Sequence, residues 1–147
     1  MASGSMSSAE REAFLAGVHV GILAVDEPDR GPLALPVWYE YADGEVLVGM
    51  DGGSLKARLL AAAGRATLTV QTETPPYQYV SVQGPVVIDP TPRDTLAMAS
   101  RYLGPEFGAW YAENNPNTET SVVARLRPET WRTMDFAKAM AIPEATS

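Results

Sequence analysis

The residues best suited to chemistry lie where a glycine-rich turn runs into a helix start. Gly49-Met50-Asp51-Gly52-Gly53 is followed by Ser54-Leu55-Lys56-Ala57-Arg58, and Lys56 is one of only two lysines in the chain, the other being Lys138. The first amides of a helix lack intrahelical partners, and the helix dipole puts partial positive charge at that end. A lysine one turn in adds a full charge, and together these features can hold an anion. The spacing differs from the Gly-x-x-x-x-Gly-Lys-Ser/Thr phosphate loop and from the Gly-x-Gly-x-x-Gly dinucleotide turn. The candidate is a phosphate site of another kind, set in a β-rich frame. Lys56 and Arg58 are two residues apart, so they do not share a helical face. Ser54 has the ordinary task of capping the helix, with phosphate contact through its backbone N–H as the competing role.

Composition narrows the remaining chemistry. The 147 residues contain no cysteine and a single histidine, His19. Disulfides, thiolate metal sites and cysteine nucleophiles are excluded, a histidine-rich metal centre is impossible, and a Ser-His-Asp triad is unfavoured. No metal site is expected. The formal net charge of -7 argues against a nucleic-acid binder, so an anionic ligand needs a local cationic pocket in an acidic protein. No apolar run approaches the ~20 residues of a membrane helix, and the N-terminus lacks a signal-peptide pattern. A cytoplasmic protein without membrane association is expected. Residues 1–6 read as a cloning remnant ahead of a second possible start at Met6, residues 7–138 as a single domain, and residues 139–147 as a tail.

The elements that must position Lys56 follow from local signals. Ser7-Ser8-Ala9-Glu10 has capping-box spacing and starts a helix over 8–16. Strands are expected over 19–25, 33–41 and 45–50, the last two joined by Asp43-Gly44. A helix runs from Ser54 to Ala63. The alternation in 66–72 turns Ala66, Leu68 and Val70 one way and Thr67, Thr69 and Gln71 the other. That polar side is read as a barrel wall facing a bound ring, with plain solvent exposure as the alternative. A long strand follows over 77–88, then a helix from Thr91-Pro92 to Tyr102 ended by Gly104, and a helical piece over 105–113. Strands over 121–127 and 131–136 finish the pattern. Six or seven strands in hairpin-like succession imply a mainly β, antiparallel barrel with peripheral helices.

The ordered set Leu35-Pro36-Val37-Trp38-Tyr39, Asp43-Gly44, Ser54-Leu55-Lys56-Ala57-Arg58 and Ala66-Thr67-Leu68-Thr69-Val70 resembles the pyridoxamine-5'-phosphate-oxidase-like split β-barrel family. Its flavin/deazaflavin oxidoreductase branch is the nearest likeness. Pro75-Pro76-Tyr77-Gln78-Tyr79, Arg101-Tyr102-Leu103-Gly104 and Arg125-Leu126-Arg127-Pro128 fit the same pattern. The resemblance implies a homodimer with cofactor at the subunit interface. It implies that Ser54, Lys56 and Arg58 hold the cofactor phosphate, that Pro36, Val37 and Trp38 carry the ring beside Gly49 and Met50, and that Tyr77 and Tyr79 of a partner chain close the pocket. Leu55 stands where many flavin-binding relatives carry arginine, and Lys-x-Arg is more like the deazaflavin branch. The expected cofactor is therefore a deazaflavin of the coenzyme F-420 type, with flavin mononucleotide (FMN) as the alternative. The expected function is hydride transfer to a small organic substrate. No side chain is assigned as catalytic; water, Tyr79 or a substrate group can give the proton. A non-catalytic flavin- or tetrapyrrole-binding protein is the reading from another class. Trp38 and Tyr39 face opposite ways, one toward core or interface and the other toward the ring.

Overall fold

The computed structural model describes residues 3–140. Helix α1 (Ser8–Ala16) is followed by strands β1 (Gly21–Val25), β2 (Leu33–Val37), β3 (Glu40–Ala42) and β4 (Glu45–Asp51). Helix α2 (Leu55–Ala63) then leads to β5 (Arg65–Gln71) and the long β6 (Gln78–Asp89). Helices α3 (Thr95–Leu103) and α4 (Pro105–Asn114) precede β7 (Ser121–Leu126), β8 (Thr130–Asp135) and the short α5 (Phe136–Ala139). Among the described residues no helix is long and apolar enough to cross a membrane.

The strands form one antiparallel sheet in the order β2-β1-β5-β6-β7-β4-β3, with β8 paired to β6 off this path. β6 is the strand on which the sheet divides. Its first half, Gln78–Gln83, pairs with β8, and Val86–Asp89 pairs with β7, while β5 takes the opposite edge. The chain crosses from β7 to β8 beside Gly84. There Arg127 N–H donates to the Pro85 carbonyl at 3.0 Å and Glu129 N–H to the Gln83 carbonyl at 2.8 Å. A Cβ on Gly84 would overlap the Arg127 carbonyl, so glycine alone lets the two backbones approach this closely.

The curled sheet encloses an apolar interior. Leu23, Val37, Tyr39, Val46, Val48, Leu68, Val70, Val80, Val82, Ala124 and Leu126 pack inward, together with Leu15 from α1 and Leu60 from α2. Among the described residues every buried one is apolar, apart from the phenol of Tyr39, whose hydroxyl donates to the Leu15 carbonyl at 2.6 Å. The alternation in β5 is as the sequence implies, with Ala66, Leu68 and Val70 buried and Thr67, Thr69 and Gln71 outward.

The mainly β, antiparallel split-barrel architecture stands, with eight strands in place of six or seven. The extra one comes from the stretch 33–41, which breaks at Trp38-Tyr39 so that β2 joins β1 and β3 joins β4. The break is possible because side chains replace the missing ladder. Tyr39 N–H donates to the Tyr102 hydroxyl at 2.9 Å, outside any strand pairing. The N-terminal segment set aside in the sequence reading takes part in the fold: Asp135 N–H donates to the Gly4 carbonyl at 2.7 Å, and Met6 is buried in the core. The tail expected over 139–147 falls outside the described residues beyond residue 140.

Candidate functional site

Local geometry builds the candidate anion corner from the chain's own turn. Gly52 N–H donates to the Thr120 carbonyl at 2.7 Å, which lays the turn against the start of β7. A Cβ on Gly52 would press on that carbonyl and on Val122, so glycine eases the close approach. Ser54 caps α2: its hydroxyl accepts from Ala57 N–H at 3.1 Å and donates to the Asp51 carbonyl at 2.7 Å. Its backbone N–H also donates to the Asp51 carbonyl, at 3.0 Å. Ser54 is therefore fully occupied in shaping the turn, and the phosphate contact through its N–H has no free donor. The N–H groups of Leu55 and Lys56 have no such partners among the described residues.

Lys56 is half-buried and has no salt-bridge or hydrogen-bond partner among the described residues. Burial holds its ammonium below the usual lysine pKa. Lys138, by contrast, is tied to Glu10 at 2.8 Å. Lys56 lines a cleft of about 1000 Å³ whose walls also include Pro36, Val37, Trp38, Gly49 and Met50. Space next to Gly49 is open, so a side chain there would intrude on it. Six of the ten residues expected from the sequence thus meet in one place.

The other four lie elsewhere in the chain. Ser54 stands behind the turn as its cap. Arg58 is exposed on α2 and does not line the cleft. Tyr77 is 51% exposed, and Tyr79 is half-buried on the outer face of the sheet, in register with Gln71 and Met134. Both flank a second groove, lined by Ile22, Pro36, Thr69, Gln71 and Gln78, which meets the first cleft along Val20 and Pro36. Trp38 and Tyr39 divide as their alternation implies, Trp38 on the cleft and Tyr39 in the core.

The opposite wall of the cleft was not legible locally. Thr95 and Met98 from α3, Tyr111 from α4, and Asn115 to Thr118 face the residues of β2 and β4. Arg101-Tyr102 was the only nearby signal. The cleft is not uniformly basic. Asp94 caps α3 by accepting from Leu96 N–H at 2.9 Å, and Arg93 is bound to Glu40 at 2.8 Å. Asp51 adds a further carboxylate. Among the described residues, Lys56 is left as the one cation lining the cleft without a counter-ion, which suits a ligand carrying its negative charge at one end. Among the described residues no cluster of His, Cys, Asp or Glu could hold a metal ion.

The fold has counterparts among solved structures. A conserved hypothetical protein of Mycobacterium tuberculosis superposes with a TM-score of 0.77 at 25% identity, over 100% of this chain and 95% of that one. An F-420 reductase matches with a TM-score of 0.60 at 23% identity, over 82% of this chain and 94% of its own. A FAD-binding protein of Mesorhizobium loti matches with a TM-score of 0.63 at 18% identity, over 87% and 94%. No curated protein shows significant similarity to the chain. The family model described as pyridoxamine 5'-phosphate oxidase matches residues 7–135, which takes in β1 to β8 and the cleft that they enclose with α3 and α4. The chain belongs to the pyridoxamine 5'-phosphate oxidase family.

Proposed function

We propose that the protein is a deazaflavin-dependent oxidoreductase that reduces a small organic substrate. The observation that carries this reading is Lys56, half-buried without a counter-ion among the described residues, lining one cleft with Pro36, Val37, Gly49 and Met50. The fold is that of a family with oxidoreductase members, and an F-420 reductase is among its structural neighbours. The residues present fit such a cofactor. Lys56 and the free amides of Leu55 and Lys56 meet a phosphate, and the open space at Gly49 admits a flat ring. Deazaflavin, when bound, supplies the hydride.

The chain's own work is to bind, orient and exclude water. Lys56 fixes the anionic end, and removing one charge-assisted contact of this kind costs about 1–3 kcal/mol. Lys56→Ala should weaken cofactor binding by that amount, read as the dissociation constant in a fluorescence titration. Trp38, Met50 and Met98 line the cleft with apolar surface that limits water around the ring. In this reading a second copy of the chain brings Tyr77 and Tyr79 to the mouth, because within one chain they flank the neighbouring groove.

The decisive experiment titrates the purified protein with deazaflavin and FMN side by side. Quenching of deazaflavin fluorescence at micromolar protein, with weaker FMN binding, supports the proposal. Protein that is yellow as purified, with bound FMN, transfers the reading to the flavin. Binding of neither overturns it.

A further inference from the structure

Two consecutive residues near the end of α3 reach across to the barrel. The Arg101 guanidinium donates to the carbonyls of Ala16 at 3.1 Å and Gly17 at 2.9 Å. The Tyr102 hydroxyl accepts from Tyr39 N–H at 2.9 Å and donates to the His19 carbonyl at 2.7 Å; the Tyr39 carbonyl lies 3.0 Å away. The Tyr102 ring lies flat on the Trp38 indole, with centroids 4.9 Å apart and planes 6° from parallel. Tyr111 from α4 touches the same indole at 5.2 Å, tilted by 51°. One side chain therefore grips both the backbone of the β2–β3 break and the side chain that the break presents to the cleft.

This arrangement matters because no ladder bond holds the backbone of the break, which is otherwise anchored through the buried Tyr39 side chain and the Tyr111 contact on Trp38. Trp38 and Tyr39 lie outside the ladders of β2 and β3. A segment without ladder bonds samples more conformations unless side chains replace them. α3 and α4, which also carry Met98 and Tyr111 on the far wall, pack on each other through Gly108, whose missing Cβ gives room to Ser100.

We infer that Tyr102 is a positioning residue: its hydroxyl and ring fix Trp38 and the adjoining backbone, so that the cofactor-bearing strand and the α3–α4 wall keep a fixed separation. The part of this inference that concerns cofactor rests on the proposed function. The part that concerns Trp38 does not.

The test uses fluorine NMR on full-length protein labelled with fluorotryptophan, which resolves Trp38, Trp110 and Trp131 as separate signals. Trp38→Phe assigns the signal. In ligand-free Tyr102→Phe, the Trp38 resonance should shift and broaden while those of Trp110 and Trp131 stay in place. Deazaflavin affinity should fall about 2- to 10-fold, the range of one neutral hydrogen bond. A folded Tyr102→Phe protein with an unchanged Trp38 resonance would overturn the inference. If that variant does not fold, hydrogen exchange on the unmodified protein decides: a protected Tyr39 amide supports the tether, and one exchanging like an open loop refutes it. Failure of deazaflavin to bind the unmodified protein would sink the proposed function alone, since both Trp38 and Tyr39 readouts need no cofactor.

Discussion

Lys56 shows how little of a candidate binding residue's character is carried by its type. A lysine is usually solvated and often paired, as Lys138 is with Glu10. Lys56 is instead half-buried and unpaired, and burial alone lowers its pKa. The sign of the pH effect follows. An anion bound beside the ammonium favours its charged form and raises the pKa again. Binding therefore takes up a proton between the lowered and the raised pKa, and affinity falls as pH rises through that interval. Below it the lysine is charged with or without ligand, and affinity is flat on this account. The logarithm of the cofactor dissociation constant should climb with pH on the alkaline side. In Lys56→Arg the climb should vanish, because a guanidinium stays charged throughout. Isothermal titrations in buffers of different ionisation heat would count the proton directly. Arg58, only two residues away, lies on the exposed side of α2, as a helical offset of two residues dictates.

At the scale of elements, capping residues were the most legible. Ser7 and Glu10 exchange both bonds of a capping box, at 2.9 and 3.1 Å, where the spacing places them. Local signals put Pro92 at the first position of α3, but the helix starts at Thr95. Asp94 takes the cap because its carboxylate accepts from Leu96 and Ala97, which leaves Pro92 and Arg93 in the loop. The strand over 33–41 was read whole, since nothing in Pro36-Val37-Trp38-Tyr39 shows that a tyrosine more than sixty residues on will satisfy its backbone. The β6 crossing was also invisible, although Gly84 stands at its centre. Gly84→Ala should destabilise the protein by about 1–3 kcal/mol or more, because the obstructing atom is backbone and cannot rotate away. Chemical denaturation would give the value, and a loss under about 0.5 kcal/mol would show that the crossing can open.

For the whole molecule, one outward face is unusual. Val18, Val20 and Ile22 are 53%, 54% and 42% exposed at and before the start of β1. Ile22 stands beside Thr69 in the ladder, and Thr69 beside Ser81. The Thr69 and Ser81 hydroxyls are 2.9 Å apart and so satisfy each other. The result is an apolar strip next to a polar pair that satisfies itself, a surface suited to a partner. A homodimer through this face is the expected state, and it would carry Tyr77 and Tyr79 toward a second cleft. Sedimentation velocity at micromolar concentration should show a dimer, and Ile22→Arg should yield monomer with weakened cofactor binding. A monomer that binds cofactor normally would contradict the interface.

The sequence by itself determined what depends on neighbours along the chain. Periodicity placed the strands except for the break at Trp38-Tyr39, caps placed α1 and α2, and the glycine turn before Lys56 marked the candidate anion corner. Absent cysteines and a single histidine removed whole classes of chemistry. Tertiary structure decided what depends on residues far apart meeting in space. It stripped Lys56 of a counter-ion, committed Ser54 to its own turn, and set α3 and α4 across from β2 and β4. Local pattern records which way a side chain faces within its own element. Which distant backbone or ring it meets is fixed only when the sheet curls and closes around its apolar interior.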